Sequence, residues 1–299
     1  MKIAARRLDS AHASRLWAYL TLLRPANVVT ALADVLAGAA AAGQATGLPG
    51  LLLSTAALYA GGVVLNDVFD ATLDAVERPE RPIPSGRASK VGAAWLGAGL
   101  LAFGVSCAGL VSAASLALAA AIATAVLIYD AWAKHRALAG PFVMGTCRGL
   151  NLLLGASVTP ALLGVLWPLA LMPVAYIAAI TAISRGEVHG GRPRTGWLAV
   201  GLVGAVLAVL IALGLTLRRP DLAVLPFAVL LAWRVLPPFI VAAREPRPSL
   251  IGRAVRAGVV SLIVLDAALA ACFAGSLHGL AVLALWPLSL GLARLFAVT

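Results

Sequence analysis

The 299-residue chain is 62% hydrophobic and only 12% charged, with a mean hydropathy of +0.98 and a net charge of +11. A water-soluble domain is about half apolar and a quarter charged, so this composition excludes one and indicates a protein embedded in lipid. The positive charge recurs loop by loop instead of gathering in one patch, which argues against a nucleic-acid partner.

Residues 1–25 lack the apolar core and cleavage site of a secretory signal and read as a basic, amphipathic, cytoplasmic lead-in lying along the membrane surface. Ten apolar segments follow, near 26–46, 48–66, 90–109, 111–130, 139–159, 164–183, 196–217, 221–242, 254–275 and 277–297. Each is long enough to cross about 30 Å of hydrocarbon as a helix. The expected fold is all-α: one polytopic membrane domain over 1–299, with nine transmembrane helices, or ten if the last two segments do not form a re-entrant pair. Polar loops after the second and sixth segments fit two four-helix blocks facing one central cavity. Five lysines and arginines precede the first segment; four lie in 67–90, two in 131–138, three in 184–195 and four in 243–256, while the opposite loops carry Arg218 and Arg219. The positive-inside rule therefore puts the N-terminus and the charged loops in the cytoplasm, and the chain in the cell's inner membrane. Cys107, Cys147 and Cys272 fall inside apolar segments with no metal-ligand spacing and read as buried hydrophobes.

One window breaks the apolar pattern. LNDVFDATLDAVERPERPIPSGR, residues 65–87, holds five of the twelve acidic residues and three arginines. Asn66, Asp70 and Asp74 recur at i, i+4 and i+8, drifting only ~40° per step, and so share one helix face. Asp67 is turned ~100° away and is expected outside that group. Carboxylates at this spacing repel one another and lose hydration near lipid, so a cation must offset them. An all-oxygen set suits Mg²⁺, which is normally held by one or two carboxylates and substrate phosphates. Three prolines then break the helix, and Arg78, Arg81 and Arg87 project from a loop where guanidinium groups can pair with phosphate oxygens. These features together describe a diphosphate site at the membrane boundary.

NDVFDATLD followed by RPIPSG resembles the first aspartate motif, NDxxDxxxD, of the UbiA superfamily of intramembrane prenyltransferases. RPANVVTALADVLAG resembles that family's first helix, and YDAWAKHRALAGPFVMGTCRGLNLLLG its fourth-to-fifth helix region. The resemblance implies that Asn66, Asp70 and Asp74 hold Mg²⁺ and the diphosphate of an allylic isoprenoid, with Arg81 and Lys134 touching the same diphosphate. The loop after the sixth segment departs from the family. AISRGEVHGGRPRTG contains one acid, Glu187, where the family's second motif has several. Either Glu187, with His189, completes a second metal site, or Arg185, Arg192 and Arg194 supply the missing positive charge. The wording SRGEVHGG is most similar to the EboC-like branch, which implies a hydroxylated, cyclitol-type acceptor.

Polar residues inside the segments complete the expected site. Asn27 and Asp34 share a face of the first segment, and Arg148 and Asn151, at i and i+3, share one of the fifth. All four are expected to line the cavity, with Asn27, Arg148 and Asn151 contacting substrate. Tyr129, beside Asp130 and Lys134, is expected to hydrogen-bond acceptor or diphosphate, and Arg185 to join Arg78 and Arg81 on phosphate. Asp266 and Arg234 are expected to pair structurally. Phe69, Trp132 and Phe142 are candidate faces for an allylic cation, and Glu187, Asp67 and Asp130 candidate bases. The expected activity is Mg²⁺-dependent transfer of a prenyl group from an allylic diphosphate to a small-molecule acceptor. The alternative is a non-catalytic isoprenoid-binding protein or a lipid transporter.

Overall fold

All ten apolar segments are helical, and no β-strand occurs among the described residues, which in this computed structural model are 15–217 and 222–296. The helices are α1 (Pro25–Ala42), α2 (Leu48–Phe69), the short α3 (Ala71–Glu77), α4 (Lys90–Gly109), α5 (Ala113–Ala131), α6 (Ala139–Ala156), α7 (Leu171–Ser184), α8 (Pro193–Thr216), α9 (Leu225–Arg244), α10 (Pro248–Val260), α11 (Leu262–Ala274), α12 (Ser276–Leu283) and α13 (Leu285–Leu295). Local chemistry sets their ends. Proline opens α1, α8 and α10, where a missing N–H costs nothing. Ser89 and Ser112 cap α4 and α5 by accepting from the N–H groups of Gly92 and Ser115. Gly43, at φ 68°, stops α1 four residues before the expected end of the first segment.

Among the described residues, nine helical stretches are long and apolar enough to cross a membrane. The α10–α11 pair counts as one of them, as does α12–α13, so each of the last two expected segments is by itself long and apolar enough to cross. Helix α6 falls outside the nine because Arg148, Asn151 and its glycines dilute an otherwise apolar sequence. Its polar groups are tolerated because neighbouring helices enclose them.

Apolar packing divides the bundle in two. One cluster joins α2, α4 and α5 through Leu51, Leu58, Leu101 and Ile122; the other joins α7 to α11 through Tyr176, Leu210, Leu231, Phe239 and Ile263. Helices α1 and α6 contribute to both: Val35 and Leu154 face the first cluster, Ala33 and Leu152 the second. They are the partition between the halves.

Close approach of α1 to α6 depends on two glycines. A Cβ on Gly38 would lie 2.0 Å from the carbonyl oxygen of Leu152, and one on Gly155 would lie 2.1 Å from that of Val35. On the same faces, one to two turns away, Arg148 grips Asp34 with Nε 2.9 Å from Oδ2 and Nη2 3.0 Å from Oδ1. Arg148 also donates to the Thr30 carbonyl at 2.9 Å, and Asn151 donates to the Ala31 carbonyl and to Asp34, each at 2.9 Å. Small residues let the backbones touch, and polar side chains tie them together, as expected where lipid supplies no hydrophobic drive.

Of the lead-in, residues 1–14 lie outside the described residues, as do Arg218 and Arg219; residues 15–22 are helical, with Arg15, Leu16 and Trp17 exposed and Ala18 and Leu22 buried against Val64, Ala88 and Ala93. Asp266 does not pair with Arg234. It sits fully buried near Asp34, with neither carboxylate oxygen hydrogen-bonded among the described residues, whereas Arg234 lies over the Trp286 ring, 5.4 Å from its centre. Gly155→Val is predicted to lower stability by at least about 1–3 kcal/mol, through overpacking against backbone that cannot move aside. Thermal unfolding of the purified variant in detergent checks this; an unchanged midpoint would contradict the contact.

Candidate active site

The polar end of α2 carries the site. The helix pauses at Asp70, which closes α2 and opens α3, yet the hydrogen-bond ladder runs on: Asp70 N–H donates to the Asn66 carbonyl at 2.9 Å, Asp74 to Asp70 at 2.8 Å and Arg78 to Asp74 at 2.8 Å. The expected common face therefore survives the break. Asn66 donates from Nδ2 to Asp130 Oδ1 at 2.7 Å, leaving its amide oxygen for a ligand. Lys134, on a single 3₁₀ turn after α5, places Nζ 2.6 Å from Asp70 Oδ1. Arg81 donates to Asp74 Oδ2 at 2.8 Å.

Asp67 belongs to this group, contrary to the helical-wheel expectation. Arg24 Nη2 lies 2.6 Å from its Oδ1, and Arg81 reaches the same oxygen at 3.4 Å while holding Asp74. Long arginine side chains bridge a rotation that separates the carboxylates themselves. Arg24 adopts φ 45° immediately before Pro25, a conformation uncommon for a non-glycine residue, and the Asp67 pair holds it there. Four carboxyl groups (Asp67, Asp70, Asp74 and Asp130) thus meet three cations (Arg24, Arg81 and Lys134), which leaves a local preference for one more positive charge.

Below this mouth lies a cavity of about 210 Å³ between α2, α5 and α6. Asn66, Tyr129, Asp130 and Arg24 form its rim, Leu58, Val63, Ile122 and Val126 its walls, and Thr55, Arg148 and Asn151 its far end. Asp130 Oδ2 is buried with no hydrogen-bond partner, so the rim presents an unspent acceptor. Arg148 and Asn151 line the cavity as expected, but most of their polar capacity is committed to α1, and Asn151 also accepts from Thr55 at 2.6 Å. Asn27 is not on the wall; it shares a hydrogen bond with Tyr59, which is. None of the three aromatic residues expected to face a cation lines the cavity. Phe69 lies under Lys134 at 5.9 Å, Trp132 under Arg136 at 5.3 Å, and Phe142 is 64% exposed on the outside. Tyr59 and Tyr129 stand in their place. The wall residues of α2 were legible from Asn66 backwards, because 55, 59, 62, 63 and 66 follow helical spacing on one face.

The loop after α7 carries the expected residues, but in different surroundings. Glu187 faces Arg78 and Arg256; burial pushes its carboxyl above the usual range, and the two arginines partly offset the shift. It lies over Gly252 of α10, and His189 is exposed. Among the described residues no three His, Cys, Asp or Glu side chains converge in a group that could hold an ion. Arg185 points elsewhere, donating to the carbonyl oxygens of Arg136 at 2.7 Å and Lys134 at 3.4 Å. It braces the turn that carries Lys134.

Comparison with known proteins identifies this arrangement. The chain is 32% identical to digeranylgeranylglyceryl phosphate synthase of Methanothrix thermoacetophila over 66% of its own length and 80% of that protein. It is 37% identical to the synthase of the same name from Methanopyrus kandleri over 47% of its length, a match spanning only about half, 53%, of that relative. Among solved structures, a UbiA homologue from Archaeoglobus fulgidus bound to GPP and Mg²⁺ superposes with a TM-score of 0.66 at 18% identity, covering 89% of this chain and 99% of that one. Residues 27–244 match the UbiA prenyltransferase family, which spans both the charged mouth and the cavity beneath it, and the chain belongs to that family.

Proposed function

We propose that the protein transfers a prenyl group from an allylic isoprenoid diphosphate to the hydroxyl of a small acceptor, at the membrane face that carries Asp70. A charged mouth built from Asn66, Asp70, Asp74, Arg81 and Lys134 opens onto an apolar cavity, and this juxtaposition carries the reading. Lys134 and Arg81 are positioned to exchange their carboxylate contacts for diphosphate oxygens and so stabilise the charge that builds on the leaving group. The walls keep water from the allylic carbon while the C–O bond to diphosphate breaks, and Tyr59 and Tyr129 offer π faces to the positive end. Of the three candidate bases, Asp67 is occupied by two arginines and Glu187 is bracketed by two others. Asp130, with its unpartnered oxygen on the rim, is the group we assign to receive the acceptor's hydroxyl proton as the new bond forms.

The donor set fits Mg²⁺. The Asn66 amide oxygen and the Asp70 and Asp74 carboxylates are hard oxygen ligands in a group one positive charge short of neutral, with diphosphate oxygens left to complete the shell. Mg²⁺ held there would neutralise part of the diphosphate charge. We assign Glu187 to holding Arg78 and Arg256 at the mouth instead of to a second ion. We assign this side of the bundle to the cytoplasm, a reading that its basic loops support. The transporter reading is disfavoured because the acids of the mouth lie at a helix end, while the deeper Asp34 is locked to Arg148.

The acceptor separates two versions of this reading. The loop wording suggests a cyclitol-type hydroxyl, in the manner of the EboC-like branch, whereas the relatives are named for a glyceryl phosphate product. Pyrophosphate release from geranylgeranyl diphosphate with Mg²⁺, measured with a glyceryl phosphate ether or a cyclitol as acceptor, tests both. Turnover with neither, nor with cell extract, would sink the enzymatic reading.

Asp70→Asn and Asp74→Asn are each predicted to remove nearly all turnover while leaving the thermal unfolding midpoint within a few degrees of wild type; near-normal rates in both would contradict the site. Arg81→Ala is expected to weaken binding of a non-hydrolysable prenyl diphosphate by at least about tenfold, as loss of a charge-assisted contact implies. Titration calorimetry with and without EDTA reads this, and binding indifferent to both changes would count against it. Asp130→Asn should lower kcat by about 10²–10⁴, the usual share of a general base, while diphosphate affinity holds. Single-turnover kinetics distinguish that outcome from a loss of binding.

A further inference from the structure

A second cleft, of about 720 Å³, shares no lining residue with the cavity below Asp70. It lies where the start of α6, the end of α7 and the start of α8 meet, on the charged side of the bundle. Its walls are apolar and its outer lip faces the region occupied by lipid: Leu138 is 88% exposed, Phe142 64% and Leu198 61%. Exposed side chains of this kind need no protein partner if an acyl chain lies along them.

The charge in the cleft is one-sided. Arg185 and Arg192 line it, and no Asp or Glu does. Neither arginine forms an ion pair with a carboxylate among the described residues. Arg185 is already fixed in direction by its bonds to the Arg136 and Lys134 carbonyls, and Arg192 stands at the N-terminal cap of the 24-residue α8. A guanidinium prepared in this way binds phosphate with little further loss of side-chain freedom. Two unneutralised cations at the top of an apolar slot, at the membrane boundary, match a ligand that is anionic at one end and a hydrocarbon chain at the other.

We propose that this cleft binds an anionic phospholipid, its phosphate held by Arg185 and Arg192 and one acyl chain lying along Phe142, Ala182 and Leu198. A zwitterionic lipid would bring its own cation into a site that already has two, and free phosphate would leave the apolar wall uncovered. Through Arg185 the bound headgroup would rest against the turn that presents Lys134 to Asp70.

Native mass spectrometry of the full chain, released from nanodiscs of phosphatidylglycerol and phosphatidylcholine in equal amounts, tests the proposal independently of prenyl transfer. We expect wild type to retain phosphatidylglycerol at least about tenfold over phosphatidylcholine, and Arg192→Ala to reduce that retention about tenfold. Ala182→Phe, which fills the wall and leaves both arginines, should reduce it as well, and millimolar inorganic phosphate should not displace the lipid. Equal retention of the two lipids by wild type would overturn the proposal. Undiminished retention in Arg192→Ala, a surface substitution that leaves the core untouched, would do the same even if Ala182→Phe failed to fold. Displacement by phosphate alone would show an adventitious anion site with no role for the wall.

Discussion

The ion pair between Arg148 and Asp34 is the constraint around which the bundle is arranged. A guanidinium in the membrane interior is tolerated only if it is paired locally, and here the Asp34 carboxylate pairs with its charge while Nη2 donates to Asp34 and to the Thr30 carbonyl. This pairing brings α6 against α1, and the two glycines allow the backbones to touch. Because α1 and α6 each serve both halves of the apolar core, this one contact sets how the halves sit about the cavity. Removing either partner alone would leave a buried charge uncompensated, so the residues stand or fall as a unit. Asp266 approaches the same cluster from α11 and extends the polar seam into the second half of the bundle.

At the mouth the electrostatics are of a different kind. Lys134, Arg81 and Arg24 are held close to Asp70, Asp74 and Asp67 in partly exposed pairs that a ligand can exchange. Pairing the cations before substrate arrives keeps them from lying over the apolar walls, and it also holds them within reach of an incoming diphosphate. The short break at Asp70 contributes here as well. It ends α2 while preserving the line of side chains from Asn66 to Arg78, so Asn66, Asp70, Asp74 and Arg78 hang from one continuous ladder.

The loop after α7 shows how a family pattern can be altered without dismantling the site. With a single acid, it keeps Glu187 within the electrostatic influence of Arg78 and Arg256 and turns Arg185 to brace the Lys134 turn. Positive charge from the first loop, from α10 and from this loop is thereby distributed around the mouth and the outer cleft.

Much of this molecule was legible in the amino-acid sequence. Runs of Leu, Ala, Val and Gly define the helices because hydrocarbon permits little else, and the spacing of Asn66, Asp70 and Asp74 places them on one face because helix geometry is periodic. Serine, proline and glycine mark helix ends for equally local reasons. What only the tertiary structure decided are contacts whose partners lie far apart in the chain. Asp67 joins the site because Arg24, 43 residues away, reaches it. Arg148 and Asn151 are spent on α1, Asp266 lies near Asp34 and not against Arg234, and Glu187 feels the charge of Arg256. Phe69, Trp132 and Phe142 give way to Tyr59 and Tyr129 because rotation of each helix about its axis is set by packing against its neighbours. Within a helix that is apolar on every side, periodicity carries no signal of which face turns inward, and only the close fit of small residues such as Gly38 and Gly155 fixes it.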